Sequence, residues 1–221
     1  MNFKDKIHNL LKLLSEYKTN HETFNPWGDY DFDYDFDNSA PLIRVKNLRD
    51  YLLLRENAKF ILIAEALSYQ GGKFTGIAMT SEKLLKIRTS NSNAELGNNQ
   101  RKLNGFSENT ATIVENTLIK SLDINPIDFI KWNIYPFHPH KINNSLSNRT
   151  PNIEEIKETI FILRTFLDIF QNKKIIAIGN ISFNFLKKFL PHIKLDKVRH
   201  PSNGGANDFK KQIQIILSKR I

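Results

Sequence analysis

Phe60-Ile61-Leu62-Ile63, followed at once by Ala64-Glu65-Ala66 and then by Gly71-Gly72-Lys73-Phe74-Thr75-Gly76, is the stretch that decides how the rest of the chain reads. Four consecutive apolar residues without polar alternation are what a strand covered on both faces of a parallel sheet requires. The polar string after them then stands at the strand's carboxyl end, where open α/β folds place their ligand crevice. Working outward, Phe129 to Asn133 reads as a second strand, Lys174 to Gly179 as a third and Leu195 to Val198 as a fourth. Helical periodicity fills the intervals: Ile43 to Arg55, Ala111 to Ser121, Ile153 to Phe170 and Phe183 to Phe189. The long helix has Ile156, Ile160, Leu163, Leu167 and Phe170 as its buried stripe. Thr150 is expected to cap it, with Pro151 in its first turn and Glu154 and Glu155 at the positive end of its dipole. Phe3 to Tyr17, with Ile7, Leu10, Leu11 and Leu14 in register, and Asn207 to Lys219 supply helices at the two ends. The alternation predicts an α/β fold, a three-layer α/β/α sandwich with a central, mainly parallel four-stranded sheet.

A chain of 221 residues suits one domain, with residues 1–40 as an N-terminal helix and an acidic-aromatic segment packed on it. In that segment Asp29, Asp31, Asp33, Asp35 and Asp37 alternate with Tyr30, Phe32, Tyr34 and Phe36. Extended, it would present acids on one face and rings on the other. A surface loop with its rings on the core is expected, a binding element being the alternative. Thr89 to Asn104 is polar, Asn-rich and aperiodic, and is expected to be a mobile loop.

Net charge +9 and a pI near 9.6 suggest attraction to a polyanion. The absence of cysteine excludes disulfides, a thiolate nucleophile and Cys-held metal or iron-sulfur clusters. The start lacks an apolar signal core, and no run reaches the ~20 residues of a membrane span. The expectation is a cytoplasmic protein without membrane attachment.

Three polar strings at strand ends carry the chemistry. After the first strand, Glu65 is followed by glycines that let a backbone approach a flat or phosphate-bearing ligand, and Phe74 offers a stacking face. A Gly-rich βα loop with a structural Glu would look the same. After the second, Asn133 can donate and accept in a bidentate pair with a base edge, or can satisfy a neighbouring loop from within the core. After the fourth, Arg199-His200-Pro201-Ser202-Asn203-Gly204-Gly205 is a turn-forming run that can protrude and carry an imidazole.

Together the strings resemble the uracil-DNA glycosylase superfamily from about Asn25 to the C-terminus. The similarity is greatest to the branch with a Gly-Glu-Ala-Pro-Gly first motif, matched here by Ala64-Glu65-Ala66-Leu67-Ser68, and then Gly-x-Pro-Phe-x-Gly, matched by Gly71 to Gly76. An Asn at the end of strand two corresponds to Asn133, and Asn-Arg-x-Pro to Asn148-Arg149-Thr150-Pro151. His-Pro-Ser corresponds to His200-Pro201-Ser202.

The resemblance implies base eversion into a pocket and hydrolysis of the bond between sugar and base. It implies that Phe74 stacks on the everted ring, Asn133 reads its pairing edge and His200 hydrogen-bonds the pyrimidine oxygen as charge develops. It gives Glu65 the attacking water or the sugar cation. Pro201, Ser202 and Asn203 would press into the minor groove, with Gly72, Arg149, Arg199 and Gly204 also on the DNA side. No metal or cofactor is implied. The partner is DNA, single- or double-stranded, carrying a modified pyrimidine, and the protein is expected to act as a monomer.

The chain departs from the family at three points. Ala66 stands where many members keep a water-activating Asp, which leaves Glu65 as either base or electrostatic partner. Ser68 is small where others place a Tyr against a C5 methyl, so Ala66 and Ser68 could border a substituted pyrimidine. The related branch also holds an iron-sulfur cluster through four cysteines, and this chain has none. The alternatives are a glycosylase for C5-modified pyrimidines, for instance in phage DNA, and a catalytically silent binder of flipped bases. His138-Pro139-His140 resembles a metal pair without a third ligand at standard spacing, so these imidazoles are expected to line the pocket or touch DNA.

Overall fold

The computed structural model describes residues 1–89 and 106–218. The expected loop over Thr89 to Asn104 falls almost wholly outside them. Strands β2 (Phe60–Ala64), β3 (Phe129–Asn133), β5 (Lys174–Ile178) and β6 (Leu195–Val198) form one parallel sheet in the order β3-β2-β5-β6. The chain runs from β2 to one edge and then crosses to the other side, so a topological switch point lies beside β2. Pairing brings Ala64 beside Asn133 and Ile178 beside Val198, which puts the carboxyl ends of all four strands on one side.

Two apolar clusters explain why β2 reads as an unbroken hydrophobic run. Ile61, Ile63, Ile130, Trp132, Ile175 and Ala177 face a layer made by α1 (Phe3–Glu16), α2 (Ala40–Leu53), α6 (Ile153–Ile169) and α7 (Asn180–Phe189). Phe60, Leu62, Ala64, Phe129, Ile176 and Ile178 face the other layer, which includes α5 (Asn109–Glu115), the π-helical turn Asn116–Ser121 and α8 (Ala206–Ser218). Successive strand residues point to opposite faces, and both faces are apolar. The result is the three-layer α/β/α sandwich with a four-stranded parallel sheet.

Four of the elements had no sequence signal: the short pair β1 (Thr23–Phe24) with β4 (His138–Pro139), the turn α3 (Gly72–Thr75) and α4 (Glu82–Thr89). Thr150 does not cap α6. Asn152 does, its side chain accepting from the Glu155 backbone N–H while Glu155 accepts from Asn152 N–H, a closed capping box.

The acidic-aromatic segment is inverted relative to expectation. Asp31 and Asp35 are buried, whereas Tyr30, Phe32 and Phe36 are exposed. The reason is charge pairing across the fold. Asp35 takes both terminal nitrogens of Arg44 at 2.7 and 3.1 Å, and Asp31 lies 2.6 Å from Lys73. Arg44, Arg55, Lys73 and Lys131 are all interior, so part of the positive charge in the sequence never reaches the surface. No helix among the described residues is long and apolar enough to cross a membrane.

Candidate active site

At the carboxyl ends of the strands a cavity of about 370 Å³ opens, and Glu65, Ala66, Ser68 and His200 all line it. Its wall also carries Arg149 and Ser202. Glu65 follows β2 directly, and its backbone carbonyl accepts from Tyr135 N–H at 3.0 Å, which fixes the start of the loop. Burial pushes the Glu65 carboxyl above its ordinary value, and a hydrogen bond with Thr150 draws it part of the way back.

His200 sits just beyond β6, where the positive φ of Gly179 and its missing side chain leave room: a Cβ there would stand 3.2 Å from His200 Cβ. Nδ1 accepts the Ser202 backbone N–H at 3.2 Å and lies 2.7 Å from Ser202 Oγ. A nitrogen that accepts from an amide cannot carry the proton of a neutral ring, so Nε2 is assigned the N–H. Burial, then Arg199, lowers the pKa of this imidazole, which keeps it neutral near pH 7. The turn projects Ser202, Asn203 and Gly204 to the surface, with Asn203 and Gly204 at positive φ, and Arg199 is also exposed. Pro201 is buried beneath them, contrary to its expected place against DNA.

Other expected site residues lie elsewhere. Phe74 is 1% exposed, and its ring stacks on Phe106 with centroids 5.3 Å apart and planes 15° apart. Asn133 is 3% exposed and borders a separate cleft of about 10 Å³, with Leu67 standing between that cleft and the main cavity and lining both. Gly72 is buried against Leu67. Arg149 reaches the cavity but is held by a bidentate pair with Glu155 at 2.6 and 2.7 Å and by the carbonyls of His140 and Glu22. It fastens the loop after β3 to the N-terminus of α6, and a guanidinium so engaged has little left for a phosphate.

His138 is fully buried and is not on the wall of the main cavity. Its Nδ1 lies 2.9 Å from Leu67 O and its Nε2 3.2 Å from Ser145 O, so the ring ties the Glu65 loop to the loop after β4. Burial lowers its pKa to about 4, against the pull of those carbonyls. Its neutral ring donates through one nitrogen, assigned to the shorter contact with Leu67.

Sequence reasoning missed several members of the cavity wall: Gln70, Met79, Glu108, Asn109, Thr110 and, as a site residue, Asn148. Asn148 had a signal in its motif, and its side chain caps the turn at Ser68 and Tyr69 by accepting from Tyr69 N–H at 3.0 Å. Glu108 had none, because it follows an aperiodic stretch. Behind the wall, buried Lys131 on β3 bonds Glu115 at 2.7 Å, Thr80 Oγ1 at 2.7 Å and Met79 O at 2.9 Å.

The arrangement offers an acid, a neutral imidazole whose Nε2–H has no partner among the described residues, and a polar wall around a space of ligand size. That set can position a water and stabilise developing negative charge. No protein-family model matches the sequence, and no curated protein matches it. Among solved structures, the crystal structure of wild-type Pedobacter heparinus SMUG2 matches with a TM-score of 0.69 at 13% identity, covering 99% of this chain and 97% of that chain, so the two share one fold from end to end.

Proposed function

We propose that this protein is a monofunctional DNA glycosylase of the uracil superfamily, hydrolysing the N-glycosidic bond of uracil or a related modified pyrimidine and leaving an abasic site. One observation carries the reading: Glu65 and His200, from the first and last motifs of the chain, line a single cavity at the sheet's carboxyl edge. The motif resemblance and the fold shared with the P. heparinus protein support the superfamily, without favouring one of its motif branches.

The chemistry follows from charge. Breaking the bond leaves negative charge on the pyrimidine and oxocarbenium character on the sugar, so the site must meet opposite charges a few ångströms apart. His200 donates Nε2–H to the pyrimidine oxygen, with Ser202 holding the tautomer. Glu65, as carboxylate, positions water or balances the sugar cation. The exposed turn at Ser202 to Gly204, with Arg199, faces the DNA backbone. The protein works as a monomer. Ser68 on the cavity wall favours a second reading, in which the base carries a C5 substituent that this small side chain admits.

The test is cleavage. Duplex and single-stranded oligonucleotides carrying one uracil or one C5-modified pyrimidine are incubated with the protein and then treated with alkali. Breakage at the modified position is expected, with loss in Glu65→Gln and His200→Ala. Binding without breakage on every substrate would instead identify a silent flipped-base module.

A further inference from the structure

Glu65 is not the only carboxyl on the cavity wall. Glu108, just before α5, lines the same cavity as Glu65 and His200, and its Oε2 is buried with no hydrogen-bond partner among the described residues. Its seat is built into the Gly-rich loop. A Cβ on Gly71 would come within 1.9 Å of Glu108 Oε2 and 2.5 Å of Thr80 O, so position 71 admits no side chain while that carboxyl stands there. Buried polar groups are normally satisfied within the fold, and one left unpartnered on a cavity wall is placed for a ligand. Asn133 Oδ1 is also buried without a partner among the described residues, but Asn133 lies in its own small cleft beyond Leu67, whereas Glu108 lines the main cavity.

We infer that Glu108 hydrogen-bonds the pairing edge of the everted pyrimidine, the role that the motifs give to Asn133. The inference rests on the glycosylase reading above. A neutral carboxyl sets an O–H beside a C=O. Because Oε2 is buried against Gly71 and Thr80 O, the carboxyl has to turn toward the cavity to meet a base; turned, it pairs bidentately with N3–H and O4 of a uracil edge, or with N3 and the N4 amine of a cytosine edge, according to which oxygen holds the proton. Ionised, it only accepts, which favours the amine. Burial raises this carboxyl to about 7, opposed by Lys131. The titratable groups around it are Lys131 and Glu115 behind, and Glu65, Arg149 and His200 on the cavity. Near neutrality both forms are present.

The experiment compares wild type, Glu108→Ala and Glu108→Gln from pH 6 to 8 on oligonucleotides with one deoxyuridine or one 5-hydroxymethyldeoxycytidine. Glu108→Ala is expected to slow single-turnover cleavage of the preferred base roughly 10- to 100-fold with its melting temperature kept. Glu108→Gln, whose amide copies the neutral acid, is expected to stay within a few-fold of wild type. Its rate should also lose the component that titrates near pH 7. Wild-type rates in Glu108→Ala, or an unchanged pH profile in Glu108→Gln, overturn the inference. If Glu108→Ala does not fold, the Glu108→Gln profile decides alone. If wild type cleaves neither base, it is the glycosylase reading that has failed.

Discussion

Ser202 gives its backbone N–H to Nδ1 of His200 at 3.2 Å, with its hydroxyl 2.7 Å from the same nitrogen. The second residue after the imidazole thus fixes which ring nitrogen holds the proton. His200→Ala is expected to lower cleavage at least 100-fold, the usual loss when one donor to a developing anion is removed. Ser202→Ala keeps the backbone bond and should lose about 10-fold or less. Nitrogen NMR of His200 checks the cause, and a ring protonated on Nδ1 at pH 7 would contradict it.

The pH profile of cleavage follows from two opposed shifts. Glu65 is raised from 4.5 and must be ionised, while His200 is lowered from 6.5 and must be neutral. Both requirements fail on the acid side, so the rate should fall as pH drops, along a limb that lies above the ordinary Glu value of 4.5 because burial raises Glu65. Glu65→Gln should remove 100-fold or more of the rate across the whole range.

Arg149 is a clamp in this fold. Arg149→Ala leaves Glu155 buried without its guanidinium and is expected to cost about 2–4 kcal/mol in urea unfolding. The salt slope of DNA binding should barely change. A slope lower by about one with stability intact would instead mark Arg149 as a phosphate contact.

Two buried groups set opposing trends in stability. His138 has its folded pKa depressed from 6.5 to about 4, so the stability it contributes is present above 6.5 and lost as pH falls toward 4. Glu108 is raised from 4.5 to about 7, so its contribution is present below 4.5 and lost as pH rises through 7. Unfolding free energies should show His138→Gln flattening the acid loss and Glu108→Gln flattening the decline toward pH 7.

The sequence by itself determined the layers. Strand and helix periods are local, and a run such as Phe60 to Ile63 states its burial without reference to partners. It also put Glu65 and His200 at strand ends, because a parallel sheet aligns those ends wherever its strands lie. Only the tertiary structure decided the pairings. Asp31 and Asp35 turned inward because Lys73 and Arg44 meet them from other segments, and Arg149 was drawn to Glu155. Glu108 came to the cavity because Gly71 has no side chain to keep it out. Such partnerships depend on which surfaces touch, and a buried charge settles on its counter-charge whatever the period of its own segment.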